Sequence, residues 1–177
     1  MELLDYKFVT LCQDEEFILY RGLRETKTET DPCSILVLAA AKDLPAPATF
    51  ERMKHELSVK DALDSEWAVR PLAIERDRDR TVLVLEDPGG EPLDRSLGLP
   101  MEVGISLRLA AGIAAALGKL HQHGLVHRDL KPANILVNFA EGQAHLTGCG
   151  IASRLPKDMR EPSKILACGT PPVRALH

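Results

Sequence analysis

The sequence predicts an α+β protein of two lobes, a small β-rich lobe followed by a mainly helical one. Short stretches rich in Val, Ile, Leu and aromatic residues fill the first half, each bounded by polar turns. One long apolar helical pattern dominates the second half. The loop-forming segment DPGGEPLD, residues 87–94, separates the two patterns and predicts a connector between the lobes.

The first half contains four clear strand candidates and one weaker candidate. The clear candidates are residues 6–12, 16–24, 34–42 and 80–87. The first two are compatible with a hairpin around CQDEE at 12–16. Residues 68–74 form the weaker strand. The charge run ERDRDR at 75–80 is predicted to be the solvated turn that follows it.

Two helices are predicted from apolar spacing. In the first half, Phe50, Met53 and Leu57 recur at spacings of three and four, and Pro47 suits a first helical turn. The second helix carries one apolar stripe, made of Leu109, Ile113, Ala116, Leu117 and Leu120. Gly124 stands where its C-terminal cap is expected. Residues 134–138 and 143–147 follow as a short hairpin around FAEG.

Composition narrows the possible partners and location of the protein. With 177 residues, 45% hydrophobic residues and a formal charge of −4, the chain has no basic excess that predicts nucleic-acid binding. The start MELLDYKFVT is acidic where a secretory signal is basic, and no apolar run spans a bilayer. Four widely spaced cysteines predict reduced structural thiols. We therefore expect a cytoplasmic protein with no transmembrane segment.

Chemistry is concentrated in LVHRDLKPANILVN, residues 125–138. Asp129, Lys131 and Asn134 stand two and five positions apart around Pro132, a pattern typical of a loop rather than a helix face. A carboxylate can accept a proton, an ammonium can balance phosphoryl charge, and an amide oxygen suits Mg²⁺. Taken singly, each residue fits a solvated turn better than a catalytic role, but the ordered set favours phosphoryl transfer.

The stretch HRDLKPANILV, residues 127–137, resembles the catalytic loop of serine/threonine protein kinases, and the lysine two places after the aspartate is the serine/threonine form. The resemblance implies a protein kinase-like two-lobe fold over about residues 6–170. Residues 1–87 would then be the small lobe, 88–94 the hinge and 95–177 an incomplete large lobe. More narrowly, EDPGGEPLD, LTGCGIASRLP and CGT are similar to the kinase-like domain of large bacterial multidomain sensor histidine kinases.

The resemblance also implies ATP and Mg²⁺ as cofactors and a protein with Ser or Thr hydroxyls as substrate. Asp129 matches the catalytic base, Lys131 the phosphate-facing lysine and Asn134 a metal ligand. Contacts to the nucleotide base are expected from the hinge and the start of the hairpin. These cofactor-binding positions are Leu85, Glu86, Asp87 and Leu136.

Several positions depart from the kinase pattern. Gly148, followed by Cys-Gly, stands where the metal-binding aspartate of D-F-G is expected, and CQDEE has no glycine to approach phosphate. Leu38 falls at the place of the phosphate-pairing lysine. Lys42, four residues later, is a weaker candidate to replace it, while Glu56 is placed to be that lysine's partner.

These departures predict impaired catalysis, because each ~1.36 kcal/mol lost from the transition state costs tenfold in rate. The first hypothesis is a serine/threonine protein kinase-like domain with weakened phosphoryl transfer. The alternative is a non-catalytic pseudokinase that binds a signalling partner or a nucleotide without turnover. A small-molecule phosphotransferase is a third hypothesis, which Lys131 and Pro132 disfavour.

The C-terminal stretch adds a further expectation. Kinase-like domains continue through an A-P-E motif and substrate-binding helices, whereas this sequence runs from Gly169-Thr170 into PPVRALH. This predicts a truncated or frame-disrupted large lobe whose helical stripe at 109–120 is exposed, with marginal stability. The start of an activation segment, at 151–170, holds Ser153, Ser163 and Thr170 as candidate phosphorylation sites.

Overall fold

The computed structural model describes residues 3–24, 33–98 and 100–155 of the chain. Five strands of the first half form one antiparallel sheet with the order β1-β2-β3-β5-β4. They are β1 (Lys7–Gln13), β2 (Phe17–Leu23), β3 (Ser34–Ala40), β4 (Pro71–Asp77) and β5 (Arg80–Glu86). All five predicted strands are confirmed, and the first two form the expected hairpin.

The turn between β4 and β5 is shorter than the charge run predicted. β4 continues to Asp77 and β5 begins at Arg80, which leaves only Arg78 and Asp79 for the turn. Arg78 adopts a positive φ of 54°, as two-residue hairpin turns require. The flanking charges project from strands whose other face is buried, so the run is mostly strand rather than loop.

Helix α1 (Pro47–Ser58) lies between β3 and β4 in sequence and packs against β4 and β5. Pro47 occupies the first turn, as predicted. Met53 is buried in the cluster beneath the sheet, but Phe50 is 37% exposed, so the predicted apolar stripe is wrong at its first position. Glu56 is buried instead, with 2% exposure, because the helix turns this face toward backbone N–H groups of the second half.

The second half is built around helix α2 (Val103–Gln122) and two small sheets. The short strands are β6 (Glu91–Pro92), β7 (Leu125–Val126), β8 (Ile135–Asn138), β9 (Gln143–Leu146) and β10 (Ser153–Arg154). β8 and β9 form the predicted hairpin, β6 pairs with β8, and β7 pairs with β10. Four short 3₁₀ turns complete the described residues, at Leu3–Asp5, Lys60–Ala62, Leu93–Ser96 and Pro132–Asn134.

The apolar stripe of α2 is covered, contrary to the expected exposed face. Leu109, Ala116 and Leu120 are 3%, 2% and 0% exposed. They pack with residues of the first half and of the hairpin, among them Val59, Leu63, Trp67, Ala144 and Leu146. The stripe was expected to depend on later parts of a larger lobe, but the segment after α1 supplies the cover. Gly124 ends the helix with a φ of 76°, as predicted.

By length and composition alone, α2 is apolar enough to cross a membrane. A core helix of a globular protein passes the same test, and α2 packs one stripe into the core, but only 17% of its apolar window is buried. Its opposite face is apolar and open, with Val103 at 72% and Leu107 at 66% exposure.

Backbone hydrogen bonds join the two halves beside the hairpin. The N–H of Val69 donates to the carbonyl of Leu146 at 2.8 Å, and the N–H of Leu146 donates to the carbonyl of Trp67 at 3.0 Å. The connector is fixed by Arg21 of β2, whose guanidinium donates to both carboxylate oxygens of Asp87 at 2.7 and 3.0 Å. Gly90 has a φ of 74°, and a Cβ there would lie 2.5 Å from the carbonyl oxygen of Val137. Only glycine fits this approach.

Candidate functional site

A cavity of about 70 Å³ lies between the two halves of the molecule. The turn between β1 and β2, helix α1, the loop at 127–134 and the segment after β9 form its walls. Asp129, Lys131 and Asn134 all line it, so the structure brings the three predicted groups to one crevice.

The conformation of the loop at 127–134 is fixed by hydrogen bonds of a buried histidine. The ring of His127, which is 2% exposed, accepts the N–H of Asp129 at Nδ1 and bonds the carbonyl of Thr147 through Nε2 at 2.8 Å. Burial holds the pKa of His127 below its usual value, so the ring is neutral with Nε2 as the donor. Arg128, with a φ of 68°, turns the chain so that Asp129 faces the cavity.

Within the loop the three groups contact one another. The amide nitrogen of Asn134 donates to the main-chain oxygen of Asp129 at 2.8 Å and to its Oδ2 at 3.2 Å. Lys131 Nζ lies 3.8 Å from the same Oδ2. Pro132 opens the 3₁₀ turn that carries Asn134 back toward the carboxylate. The side chain of Asp129 remains 29% exposed to the cavity.

Both cations of the crevice are paired with carboxylates of the chain itself. Lys131 Nζ donates to Asp14 Oδ2 at 3.0 Å, across the crevice from the loop. Arg52 of α1 pairs with Glu16 and approaches Asp129 Oδ2 at 3.5 Å. Burial alone would lower the pKa of Lys131, but the hydrogen bond that Lys131 donates to Asp14 and the charges of Asp129 and Asp14 raise it. Lys131 therefore stays a cation, and its charge is already balanced.

At the position expected to hold a second metal ligand, a side chain would need a left-handed backbone and would have to displace the amide of Asn134. Gly148 has a φ of 76°, and a Cβ there would lie 2.8 Å from Cγ of Asn134. The amide of Asn134 occupies the space into which an aspartate would reach. Gly148 therefore supplies no oxygen other than its backbone carbonyl, and the described residues contain no cluster of three or more His, Cys, Asp or Glu suited to a metal.

Glu56 lies on the α1 wall opposite Leu38, and both residues line the cavity. Its Oε1 accepts the N–H groups of Gly148 and Cys149, each at 3.2 Å. Burial raises the pKa of this carboxyl to about 7, and the two backbone hydrogen bonds and the charge of Arg52 only partly offset that effect. Leu38, which stands where a lysine was expected, offers Glu56 no positive charge.

The four residues expected to hold a nucleotide base lie elsewhere. Leu85 and Leu136, at 1% and 0% exposure, are buried in one apolar cluster together with Leu36. Glu86 pairs with Arg70 and accepts from Ser65, and Asp87 is held by Arg21. Among the described residues that line the cavity, none of the four is found. Lys42 does not line this cavity either, and borders a separate cavity of about 220 Å³ with Asp43 and Arg80.

The sequence interpretation missed Arg52 and the contacts of the β1–β2 turn. Arg52 precedes Glu56 by four residues, so helical spacing places both on one face of α1. That spacing was available in the sequence, but the carboxylates that Arg52 meets are 36 and 77 residues away. For the turn at 12–16, the sequence interpretation considered the lack of a glycine but no contact of the acids.

These residues do not fit a bound ATP–Mg²⁺ complex. The strand position for the lysine is apolar, the second metal position is filled by Asn134, and both cations are paired. The cavity of about 70 Å³ is also small beside the roughly 300–1,000 Å³ of typical ligand pockets. The arrangement retains a hydrogen-bonded carboxylate that can accept a proton, but not the groups that would hold a triphosphate.

Comparisons with known proteins give a consistent result. The model of the protein kinase domain family matches residues 34–175. The chain is similar to serine/threonine-protein kinase pkn2 of Myxococcus xanthus, with 37% identity over 120 residues, which cover 66% of this chain and 14% of the relative. It is 28% identical over 143 residues to CBL-interacting protein kinase 4 of Oryza sativa subsp. japonica, covering 78% of this chain and 31% of the relative.

A human relative shows a similar degree of identity. Serine/threonine-protein kinase LATS2 of Homo sapiens is 28% identical over 131 residues, which cover 72% of this chain and 12% of the relative. The chain thus spans less than a third of the length of each of these three relatives.

Proposed function

We propose that this chain, which belongs to the protein kinase domain family, is a serine/threonine kinase-like domain impaired in ATP-dependent phosphoryl transfer, and that it acts as a regulatory, partner-binding module in signal transduction. One observation carries the proposal. Where the resemblance expects a metal-binding aspartate, the chain has Gly148, whose φ of 76° disfavours any side chain and whose Cβ position lies 2.8 Å from Cγ of Asn134.

The energetic argument concerns charge at the phosphate end of the crevice. A bound metal acting as Lewis acid stabilises a transition state by several kcal/mol, and each ~1.36 kcal/mol is tenfold in rate. Leu38 removes a second positive charge, and the pairing of Lys131 with Asp14 neutralises a third. Because such groups act together, their losses do not simply add. The combined loss nevertheless supports a rate far below that of a working kinase.

A partner-binding role is supported by the rigidity of the two-lobe frame. The connector is clamped by Arg21, and Glu56 joins α1 to the segment at Gly148 and Cys149 by hydrogen bonds within the chain. The frame thus holds its shape through its own residues, as a binding module requires. The proposal includes a signalling partner for this chain and protein substrates for the whole protein. It also includes the likeness of the chain to the kinase-like domain of bacterial sensor histidine kinases.

We extend the proposal to organisation and location. Residues 1–87, 88–94 and 95–177 are proposed as small lobe, hinge and large-lobe segment. A cytoplasmic location is supported by the thiols of Cys12 and Cys149, which form no disulfide within the described residues, since reduced cysteines are typical of that compartment.

Residual phosphoryl transfer is the second candidate function, and one observation favours it. Asp129 keeps its hydrogen bond from Asn134 and 29% exposure to the crevice, so its carboxylate remains able to hold the hydroxyl of a Ser or Thr side chain. In this second candidate function, Lys131 separates from Asp14 and then balances the negative charge of the transferred phosphoryl group.

Transfer of radiolabel from ATP to a generic protein substrate tests the proposal. We expect no transfer above background from the wild-type chain, with or without Mg²⁺, and the same result for Asp129→Asn. A matched control is Asp64→Asn, an exposed acid outside the crevice. Transfer that Asp129→Asn abolishes and Asp64→Asn preserves would establish the second candidate and overturn the first.

A further inference from the structure

The turn between β1 and β2 carries three consecutive acids, Asp14, Glu15 and Glu16, and Asp14 lines the crevice. Asp14 is fixed by the turn itself. Its Oδ1 accepts the N–H groups of Glu16 and Phe17 at 2.9 and 2.8 Å, and its own N–H donates to the carbonyl of Phe17 at 2.9 Å. One carboxylate oxygen is thus consumed in holding the turn, and the other is directed across the crevice.

The first contact across the crevice is between Asp14 and Lys131. Lys131 Nζ lies 3.0 Å from Asp14 Oδ2, although the two residues are 117 positions apart. Burial opposes ionisation of Asp14, but the backbone hydrogen bonds from Phe17 and Glu16 and the bond from Lys131 outweigh it and hold the pKa of Asp14 below its usual value. Asp14 is therefore an anion at neutral pH.

The second contact runs from Glu16 to the same loop through Arg52. The Arg52 guanidinium pairs with Glu16, reaches Asp129 Oδ2 at 3.5 Å, and lies over the ring of Phe17 at 5.3 Å from its centroid. Two carboxylates of one turn therefore engage both cations that line the crevice, while Glu15 has no ion pair among those the structure describes.

The contacts are weak enough to open. The side chains of Asp14 and Lys131 are 46% and 39% exposed, and such pairs contribute little to stability because water screens them. Pre-ordering of Asp14 by backbone N–H groups lowers the entropic cost of the contact. The closed arrangement is thus favoured without being irreversible.

We propose that this acidic turn is a built-in substitute for an oligophosphate: its two carboxylates occupy the cations Lys131 and Arg52 and hold the crevice closed against phosphate anions. Carboxylate and phosphate oxygens accept the same charge-assisted hydrogen bonds, so one excludes the other. The inference rests on the proposed function, in which the crevice does not turn over nucleotide. The inference adds that the acidic turn of this chain is what excludes phosphate anions from the crevice.

Removal of the two charges without removal of the turn tests the inference. In Asp14→Asn the side-chain oxygen still accepts the two backbone N–H groups, and Glu16→Gln keeps its length. Inorganic tripolyphosphate in the presence of EDTA is the probe, and its dissociation constant is measured by calorimetry at low salt. We expect the Asp14→Asn/Glu16→Gln double variant to bind at least tenfold more tightly than wild type.

Two further variants make the result specific. Glu15→Gln removes one charge from the same turn but no crevice contact, and is expected to change affinity less than twofold. Adding Lys131→Ala to the double variant is expected to remove the part of the gain that Lys131 supplies, and to leave no more than the gain of Glu16→Gln alone. Each single variant, Asp14→Asn and Glu16→Gln, supplies the same test with a smaller gain if the double variant folds poorly.

The outcomes separate this inference from the proposed function. Equal affinity in wild type and in the charge-removed variants overturns the inference, as does a gain that Glu15→Gln reproduces or that Lys131→Ala leaves intact. These results leave the proposed function standing. Phosphoryl transfer by the wild-type chain would instead overturn the proposed function, whatever the affinity for tripolyphosphate.

Discussion

Glu56 Oε1 lies 3.2 Å from the backbone nitrogen of Gly148, in a bond that joins α1 to the segment after β9. A buried carboxylate needs donors, and here the chain's backbone supplies them in place of a lysine side chain. The inward position of α1 is therefore maintained without the strand cation that the family pattern leads one to expect.

The buried state of Glu56 predicts a pH-dependent stability. Its folded pKa of about 7 lies above the usual value of 4.5 for a glutamate, so between these values the folded state binds a proton that the unfolded state has released. The free energy of unfolding should therefore fall as pH rises from about 5 to 8, by up to about 3 kcal/mol from this group. Thermal unfolding across this range measures the effect.

Glu56→Gln is the matched variant for this prediction. It cannot ionise, so it should equal wild type near pH 5 and exceed it in stability near pH 8. Parallel curves for the two proteins over the whole range would show that Glu56 does not titrate in the folded state.

Replacement of Gly148 should cost stability through both backbone and contact. Its φ of 76° costs a non-glycine residue about 1–2 kcal/mol, and a Cβ also meets Asn134 at 2.8 Å. Gly98→Ala is the control, since Gly98 has a φ of 83° but nothing within 4 Å of its Cβ position. Urea unfolding should show Gly148→Ala to be the less stable variant. Gly148→Asp, which restores the family residue, is expected to destabilise the fold rather than to restore transfer.

The clamp between Arg21 and Asp87 should be a large contributor to stability. The side chains of Arg21 and Asp87 are 15% and 3% exposed, and breaking a buried, hydrogen-bonded pair costs about 3–5 kcal/mol. Arg21→Ala is therefore expected to lower the free energy of unfolding by an amount near the lower end of that range. Arg80→Ala breaks an ion pair with Asp43 that is largely exposed, and should cost less than about 1 kcal/mol. Similar losses in the two variants would contradict this account.

The apolar cluster that contains Leu136 predicts a third stability difference. Leu36 is fully buried beside Leu85 and Leu136, so Leu36→Ala leaves a cavity and should cost about 2–5 kcal/mol. Leu44→Ala, at a residue that is 91% exposed, should be nearly neutral. Chemical denaturation compares them, and a near-neutral Leu36→Ala would mean that the cluster is loosely packed.

Much of the fold follows from local sequence patterns. Three features were predicted because each depends on residues close together in sequence. They are the β-rich first half, the apolar stripe of α2 and the glycine cap at Gly124. The prediction failed at Phe50, whose exposure depends on what α1 meets rather than on its own spacing.

The sequence alone determined that an acid, a base and an amide share one loop, that Leu38 and Gly148 replace charged residues, and that a β-rich half precedes a helical one. Only the tertiary structure decided what those changes mean. It brought Asp14 to Lys131 across 117 residues, directed Glu56 to the backbone at Gly148, and placed Asn134 in the space of a missing side chain. Such contacts depend on how strands, helix and loop converge in space, which the spacing of residues along one chain does not specify.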